Sequence, residues 1–221
     1  MSNKTENQYW EVIDNCKNIF LNKTRDYGTS WRLFRLPSIT DQIYIKANRI
    51  RTIEQTGFTK VDEGRESEFM GIINYCIIAL IQLDLQDDTR EDLKLDEVEK
   101  FYTEKIQSTF DLMLLKNHDY GEAWRSMRIG TFSDMILVRI KRIKQIEENE
   151  GETIDSEGID ANYQDMINYA IFAMIKINEH PIEQYISQWR QIKHELTHKS
   201  SDSYNYMSSV TCGGKQTVFN F

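Results

Sequence analysis

Apolar positions recur at helical spacing along most of the chain. Val12, Ile13, Cys16, Ile19 and Phe20 fall three or four apart and predict a helix over roughly 8–23. Ile43, Ala47, Ile50 and Ile53 mark one stripe of a second helix over about 40–54. A third, over about 66–83, is apolar nearly all round (Ile72, Ile73, Cys76, Ile77, Leu80, Ile81), which predicts burial on every side. The charged stretch 85–95, LQDDTREDLKL, reads as a linker, and another helix is expected over 96–116.

That second set of helices repeats the first. Lys23-Thr-Arg-Asp26-Tyr27-Gly28-Thr-Ser-Trp31-Arg32 matches Lys116-Asn-His-Asp119-Tyr120-Gly121-Glu-Ala-Trp124-Arg125 at an offset of 93 residues. The offset holds through Arg35/Arg128, Asp41/Asp134, Lys46/Arg139, Arg49/Arg142 and Glu54/Glu147, becomes 94 after one insertion, and continues through Glu66/Asp160 and Asn74/Asn168. The expected fold is therefore all-α, a tandem repeat of a three-helix unit forming a pseudo-two-fold helical bundle. Residues 1–90 make the first repeat and 91–180 the second. Pro181 can open a further helix over 181–198, carrying Ile182, Tyr185, Ile186 and Trp189. The aperiodic, small and polar stretch 199–221 is expected to be a mobile tail.

Composition narrows the class. With only 2 Pro and 10 Gly in 221 residues, long helices meet few breakers. A net charge of −8 disfavours general binding to nucleic acid or anionic membrane, and no apolar run reaches the roughly 18 residues of a membrane span. Three cysteines without a Cys-x-x-Cys pair suggest reduced thiols, and the opening MSNKTENQYWEVIDN lacks an apolar signal core, so a cytoplasmic protein is expected. No phosphate-binding glycine loop and no nucleophile elbow is present, and His194 and His198 have no evident third ligand for zinc.

Chemistry is expected around the repeated motif. Gly28 and Gly121 suit a left-handed stop after a helix, and the following Trp31 and Trp124 can pack back on the core. Lys23 and Lys116, with Asp26 and Asp119, stand beside these stops and are suited to hold a phosphate or a metal ion. Ser38-x-x-Asp41 and Thr131-x-x-Asp134 have the spacing of capping boxes. Residues 23–51 carry seven Lys/Arg against two Asp, and 116–144 carry seven against three Asp/Glu. In an acidic chain this concentration, with Arg32, Arg35, Arg49 and their counterparts Arg125, Arg128 and Arg142 beside tryptophans, points to phosphate and base recognition. A solvated basic face is the other reading.

The third helices differ in one respect. Asp165 and Asn168 are three apart on one face of the second copy, whereas the first copy keeps Asn74 but has Gly71 in place of Asp165. A carboxylate in so apolar a helix needs a cation, and Asp165 with Asp160, or Glu66 in the first copy, would suit Mg²⁺.

Lys-x-x-Asp-Tyr-Gly-x-x-Trp, then Arg-Ile, then an acidic residue eight before Asn-Tyr, resembles the nucleotide-modification-associated domain 1 family over about residues 8–180. The resemblance implies nucleotide metabolism or base modification, with Asp165 matching an acidic position of the family and Gly71 departing from it. A looser likeness is to all-α nucleoside-triphosphate pyrophosphatases of the MazG and dimeric dUTPase kind. Asn162-Tyr-Gln-Asp165 lacks the Glu of their Glu-x-x-Asp motif, and Glu63-Gly-Arg-Glu66 has the spacing of their Glu-x-x-Glu but precedes the third helix. Two functions stay open: a Mg²⁺-dependent pyrophosphohydrolase, with Asp165, Asp160, Asp119 and Asp26 as its catalytic carboxylates, and a non-catalytic nucleotide sensor or adaptor. In either case the partner is a nucleotide-like small molecule and the protein a monomer or homodimer.

Overall fold

The computed structural model describes residues 3–57, 59, 63–149 and 157–179; the helix expected over 181–198 and the tail over 199–221 lie outside them. The described residues form six α-helices and no strand. Repeat one contains α1 (Asn3–Tyr27), α2 (Leu36–Thr56) and α3 (Arg65–Asp84); repeat two contains α4 (Leu95–Tyr120), α5 (Ile129–Glu148) and α6 (Ile159–Glu179).

The central pair is α3 against α6. Phe69, Ile72, Ile73, Cys76, Ile77, Ala79 and Ile81 on α3 are fully buried, and Tyr163, Met166, Ile167, Ala170, Ile171 and Ala173 on α6 match them. By length and composition α3 could cross a membrane, but most of it is covered inside the bundle, chiefly by α2 and α6. Each fully buried isoleucine contributes about 1.5–3 kcal/mol, so this pair is the main source of cohesion. Cys16 and Cys76 are buried free thiols, and burial pushes the Cys16 thiol up to about 12.

Polar bonds between the repeats come in symmetric pairs. Tyr9 on α1 donates to Asn168 Oδ1 on α6 at 2.9 Å, and Tyr102 on α4 donates to Asn74 Oδ1 on α3 at 3.0 Å. Each asparagine then donates to a carbonyl of its own repeat, Asn74 to Cys16 at 3.1 Å and Asn168 to Thr109 at 3.4 Å. Both amides are thus occupied by the protein, and burial holds both phenols well above the usual tyrosine range, so they remain donors.

Helices α2 and α5 cross antiparallel. Thr40 donates to Glu147 Oε1 at 3.1 Å and Ser133 to Glu54 Oε2 at 2.9 Å. Lys144 pairs with Asp41 at 2.6 Å and Arg51 pairs with Asp134. These four contacts form two pairs related by exchanging the repeats, as a pseudo-two-fold axis requires.

These contacts correct the expected capping boxes. Helix α2 begins at Leu36 with Pro37 in its first turn, Arg35 and Arg128 stand at the N-cap positions, and neither helix has a side-chain cap. Asp41 and Asp134 instead face the other repeat. Helix α1 starts earlier than its apolar stripe because polar Thr5 and Gln8 are engaged near the start of α5, where Arg125 donates to both.

Tyr102→Phe leaves Asn74 Oδ1 without its donor and is expected to cost about 1–3 kcal/mol, as a lowered urea midpoint; an unchanged midpoint would contradict the role given to that bond. Burial also raises the carboxyl groups of Glu54 and Glu147 above their ordinary value, the Ser133 and Thr40 hydroxyls and nearby cations opposing it. Their contribution to stability is therefore full in acid and declines as pH rises through the raised values. The Glu54→Gln/Glu147→Gln double variant should be more stable than the parent at neutral pH. Its advantage should shrink toward about pH 4, where the parent carboxyls are protonated. A parent that is the more stable of the two at neutral pH would overturn this.

Candidate functional site

The two Asp-Tyr-Gly-x-x-Trp segments fold alike. Helices α1 and α4 end at Tyr27 and Tyr120, and Gly28 and Gly121 follow with φ of 64° and 62°, a conformation that favours glycine. Short 3-10 turns at Ser30–Leu33 and Ala123–Ser126 then bring Trp31 and Trp124 back into the core, 7% and 5% exposed. Among the described residues neither indole N–H finds an acceptor. The end of each third helix holds its turn: Gln82 donates to the carbonyls of Arg32 and Phe34 at 3.2 and 3.0 Å, and Lys176 donates to that of Arg125.

Three pairs of arginines expected to bind a ligand divide by environment. Arg32 is nearly buried and binds the linker, donating to the carbonyl of Arg90 at 3.0 Å and also to Asp88 and Gln82. Arg125 donates to Glu122 at 2.7 Å, Glu179 at 3.1 Å and Gln8 at 2.9 Å, and lies 4.4 Å from the Trp124 ring. Both are therefore engaged in joining segments of the fold. Arg49 pairs with Glu63 at 3.1 Å and with Glu68. The side chains of Arg35, Arg128 and Arg142 are exposed and make no ion pair or hydrogen bond with the described residues.

The buried carboxylates differ between repeats. Asp165, 1% exposed, has Oδ1 2.6 Å from Lys116 Nζ and Oδ2 2.6 Å from Arg139 Nη2. The Arg139 contact is an ion pair without hydrogen-bond alignment. In repeat one the equivalent position is Gly71, and the buried carboxylate is Glu68, one turn earlier, paired with Lys46 at 3.3 Å and with Arg49. Helical periodicity and motif spacing do not single out Glu68, although the same register sets it opposite Asn162. A signal was present: a carboxylate lost at one position of the third helix and gained a turn away.

That shift leaves space in repeat one. A cleft of about 430 Å³ lies between the end of α1, the Trp31 turn and α3. Lys23, Lys46, Glu68, Trp31, Asn74 and Tyr75 line it, with Gly71 and Ile78 on its α3 wall. The Lys23 side chain is exposed and makes no hydrogen bond or ion pair with the described residues, whereas its counterpart Lys116 is held by Asp165.

The expected magnesium ligands are not brought together in this way. Asp165 already faces two cations, which a divalent ion there would have to displace. Asp160 is exposed in the first turn of α6 and Glu66 lies in the first turn of α3. Among the described residues no three His, Cys, Asp or Glu side chains cluster as a metal site needs. Asp26 and Asp119 are exposed at the ends of α1 and α4, and the Asp119 carboxylate lies 3.2 Å from the neighbouring His118.

Because Asp165 balances Lys116 and Arg139, Asp165→Asn is expected to destabilise the protein by on the order of 2 kcal/mol, less than a fully buried pair because Lys116 is 40% exposed. A rise in melting temperature would contradict this account of the carboxylate.

Comparison with known proteins agrees with this duplicated arrangement. No curated protein and no solved structure matches the chain, so the likeness to all-α pyrophosphatases gains no support there. One family, described as nucleotide modification associated domain 1, matches residues 23–83 and again 116–177. Those segments run from the lysine before each Asp-Tyr-Gly to the end of each third helix and make up more than half of the sequence. The chain belongs to the nucleotide modification associated domain 1 family, and carries its unit twice.

Proposed function

We propose that the protein binds a nucleotide, or a nucleotide-like small molecule, in the cleft of repeat one. The observation that carries this reading is that the family motif of repeat one lines the cleft while its lysine, Lys23, has no counter-charge among the described residues. About 430 Å³ falls within the roughly 300–1,000 Å³ of small-molecule sites. The walls combine what a nucleotide requires: aromatic surface from Trp31, Tyr27, Phe34 and Tyr75, and ammonium groups at Lys23 and Lys46.

Chemistry at the site is a separate question, with two answers. Magnesium-dependent release of pyrophosphate would make the protein a pyrophosphohydrolase, and binding without release would make it a sensor or adaptor. The pairing of Glu68 with Lys46 and Arg49 favours binding, because that carboxylate is not free to hold a metal or activate water.

Calorimetric titration with a panel of nucleoside mono-, di- and triphosphates, with and without magnesium, tests the reading. One or more should bind, and Lys23→Ala should weaken that binding about tenfold, whereas Lys100→Ala on the exposed face of α4 should not. Absence of binding by every member of the panel, or equal affinity in Lys23→Ala, would overturn it.

A further inference from the structure

Register between the repeats sets Gly71 opposite Asp165 and Ile78 opposite Phe172. These positions are two turns apart on one stripe of the third helix, the stripe that walls the cleft in repeat one. In repeat two Asp165 lies between Lys116 and Arg139. Phe172 stacks on Trp124 with ring centroids 4.3 Å apart and planes at 7°. Repeat one lacks both groups. Among the described residues no anion pairs with Lys23, and beside Trp31 the cleft is lined by aliphatic Ile78.

We infer that Asp165 and Phe172 fill, in repeat two, the places that a ligand's anion and aromatic ring take in repeat one. The chain then has one open site and one self-occupied copy of it. The inference rests on the nucleotide-binding reading of the cleft and adds the ligand's orientation, with the anion at Lys23 and Gly71 and the ring toward Trp31 and Ile78. Seven residues of helix span about 10 Å, comparable with the reach from base to terminal phosphate of a short nucleotide.

Lys46 completes the anion subsite. A Cβ placed on Gly71 would come 2.6 Å from Lys46 Cε and 2.9 Å from its Nζ. The Lys46 ammonium therefore lies close to where the Asp165 carboxylate is attached in the other copy, and its counterpart, Arg139, reaches that carboxylate. When Lys46 turns from Glu68 toward an incoming anion, Arg49 still balances Glu68. The anion is accepted without leaving a buried carboxylate unpaired.

Titration of the full chain with inorganic pyrophosphate and with AMP separates the parts of the inference. The parent should bind one pyrophosphate per chain. Gly71→Asp should weaken it about tenfold or more, by supplying the carboxylate in place of the ligand. Asp165→Gly, by freeing Lys116 and Arg139, should raise the stoichiometry to two. Ile78→Phe should weaken AMP about tenfold and leave pyrophosphate unchanged, because it fills the ring position alone. Circular dichroism reports folding, and should Asp165→Gly not fold, Gly71→Asp and Ile78→Phe decide between the outcomes. Unchanged pyrophosphate binding in Gly71→Asp, or unchanged AMP binding in Ile78→Phe, overturns the inference. Binding of nucleosides but not of pyrophosphate overturns the anion placement and leaves recognition of a base standing. Absence of binding by pyrophosphate, nucleosides and every nucleotide overturns both the orientation and the nucleotide-binding reading.

Discussion

Helix α3 has almost no polar face, and the rest of the bundle follows from the need to cover it. Its own repeat supplies α1 and α2, which shield two sides; the remaining side is apolar and is met by α6, a helix of the same kind. Duplication solves the burial problem for both copies at once, because each third helix is the other's missing wall. The polar contacts then fix the relative position of the halves. Tyr9 with Asn168 and Tyr102 with Asn74 set the depth of packing, while Thr40 with Glu147 and Ser133 with Glu54 set how α2 and α5 slide past each other. Hydrogen bonds of this kind contribute modestly when made and cost more when lost, so they select one arrangement rather than supply the cohesion.

On this symmetric frame the ionised groups are placed asymmetrically. Each repeat has one buried carboxylate on its third helix, paired with cations from α4 and α5 in repeat two and from α2 alone in repeat one. In repeat two the carboxylate is Asp165, near the middle of the bundle and within reach of Lys116; in repeat one it is Glu68, a turn nearer the helix start, within reach of Arg49 instead. Both placements satisfy the requirement that a buried charge be paired. Only the placement at Glu68 frees a lysine at the Asp-Tyr-Gly motif, and Ile78 in place of Phe172 removes side-chain volume beside the tryptophan.

Much of this was legible in the sequence. The register of 93 and then 94 residues defines the duplication, the all-round apolarity of 66–83 places the third helix at the centre, and Gly28 and Gly121 mark turns that the backbone adopts. Partners across the axis were not legible, because helical periodicity tells which face of α2 is buried but not what faces it. Hence Asp41 and Asp134, spaced like capping residues, turn out to pair with Lys144 and Arg51. Arg32 and Arg125 read as ligand contacts from composition, yet their donors are directed to carbonyls and carboxylates of the linker and of distant helix ends. Asp165 was recognised as a charge needing a cation; that the cations are Lys116 and Arg139 depends on how α4 and α5 lie against α6.

The central claim is that one repeat is open and the other closed by its own side chain, and the two lysines at the motifs distinguish them. Amine-reactive labelling followed by mass spectrometry, with and without saturating ADP, measures both in a single sample. Lys23 should label rapidly in the free protein and be protected by ADP, while Lys116, held by Asp165, should label slowly in either condition. Protection of Lys116 by ADP, or slow labelling of Lys23 in its absence, would contradict the account.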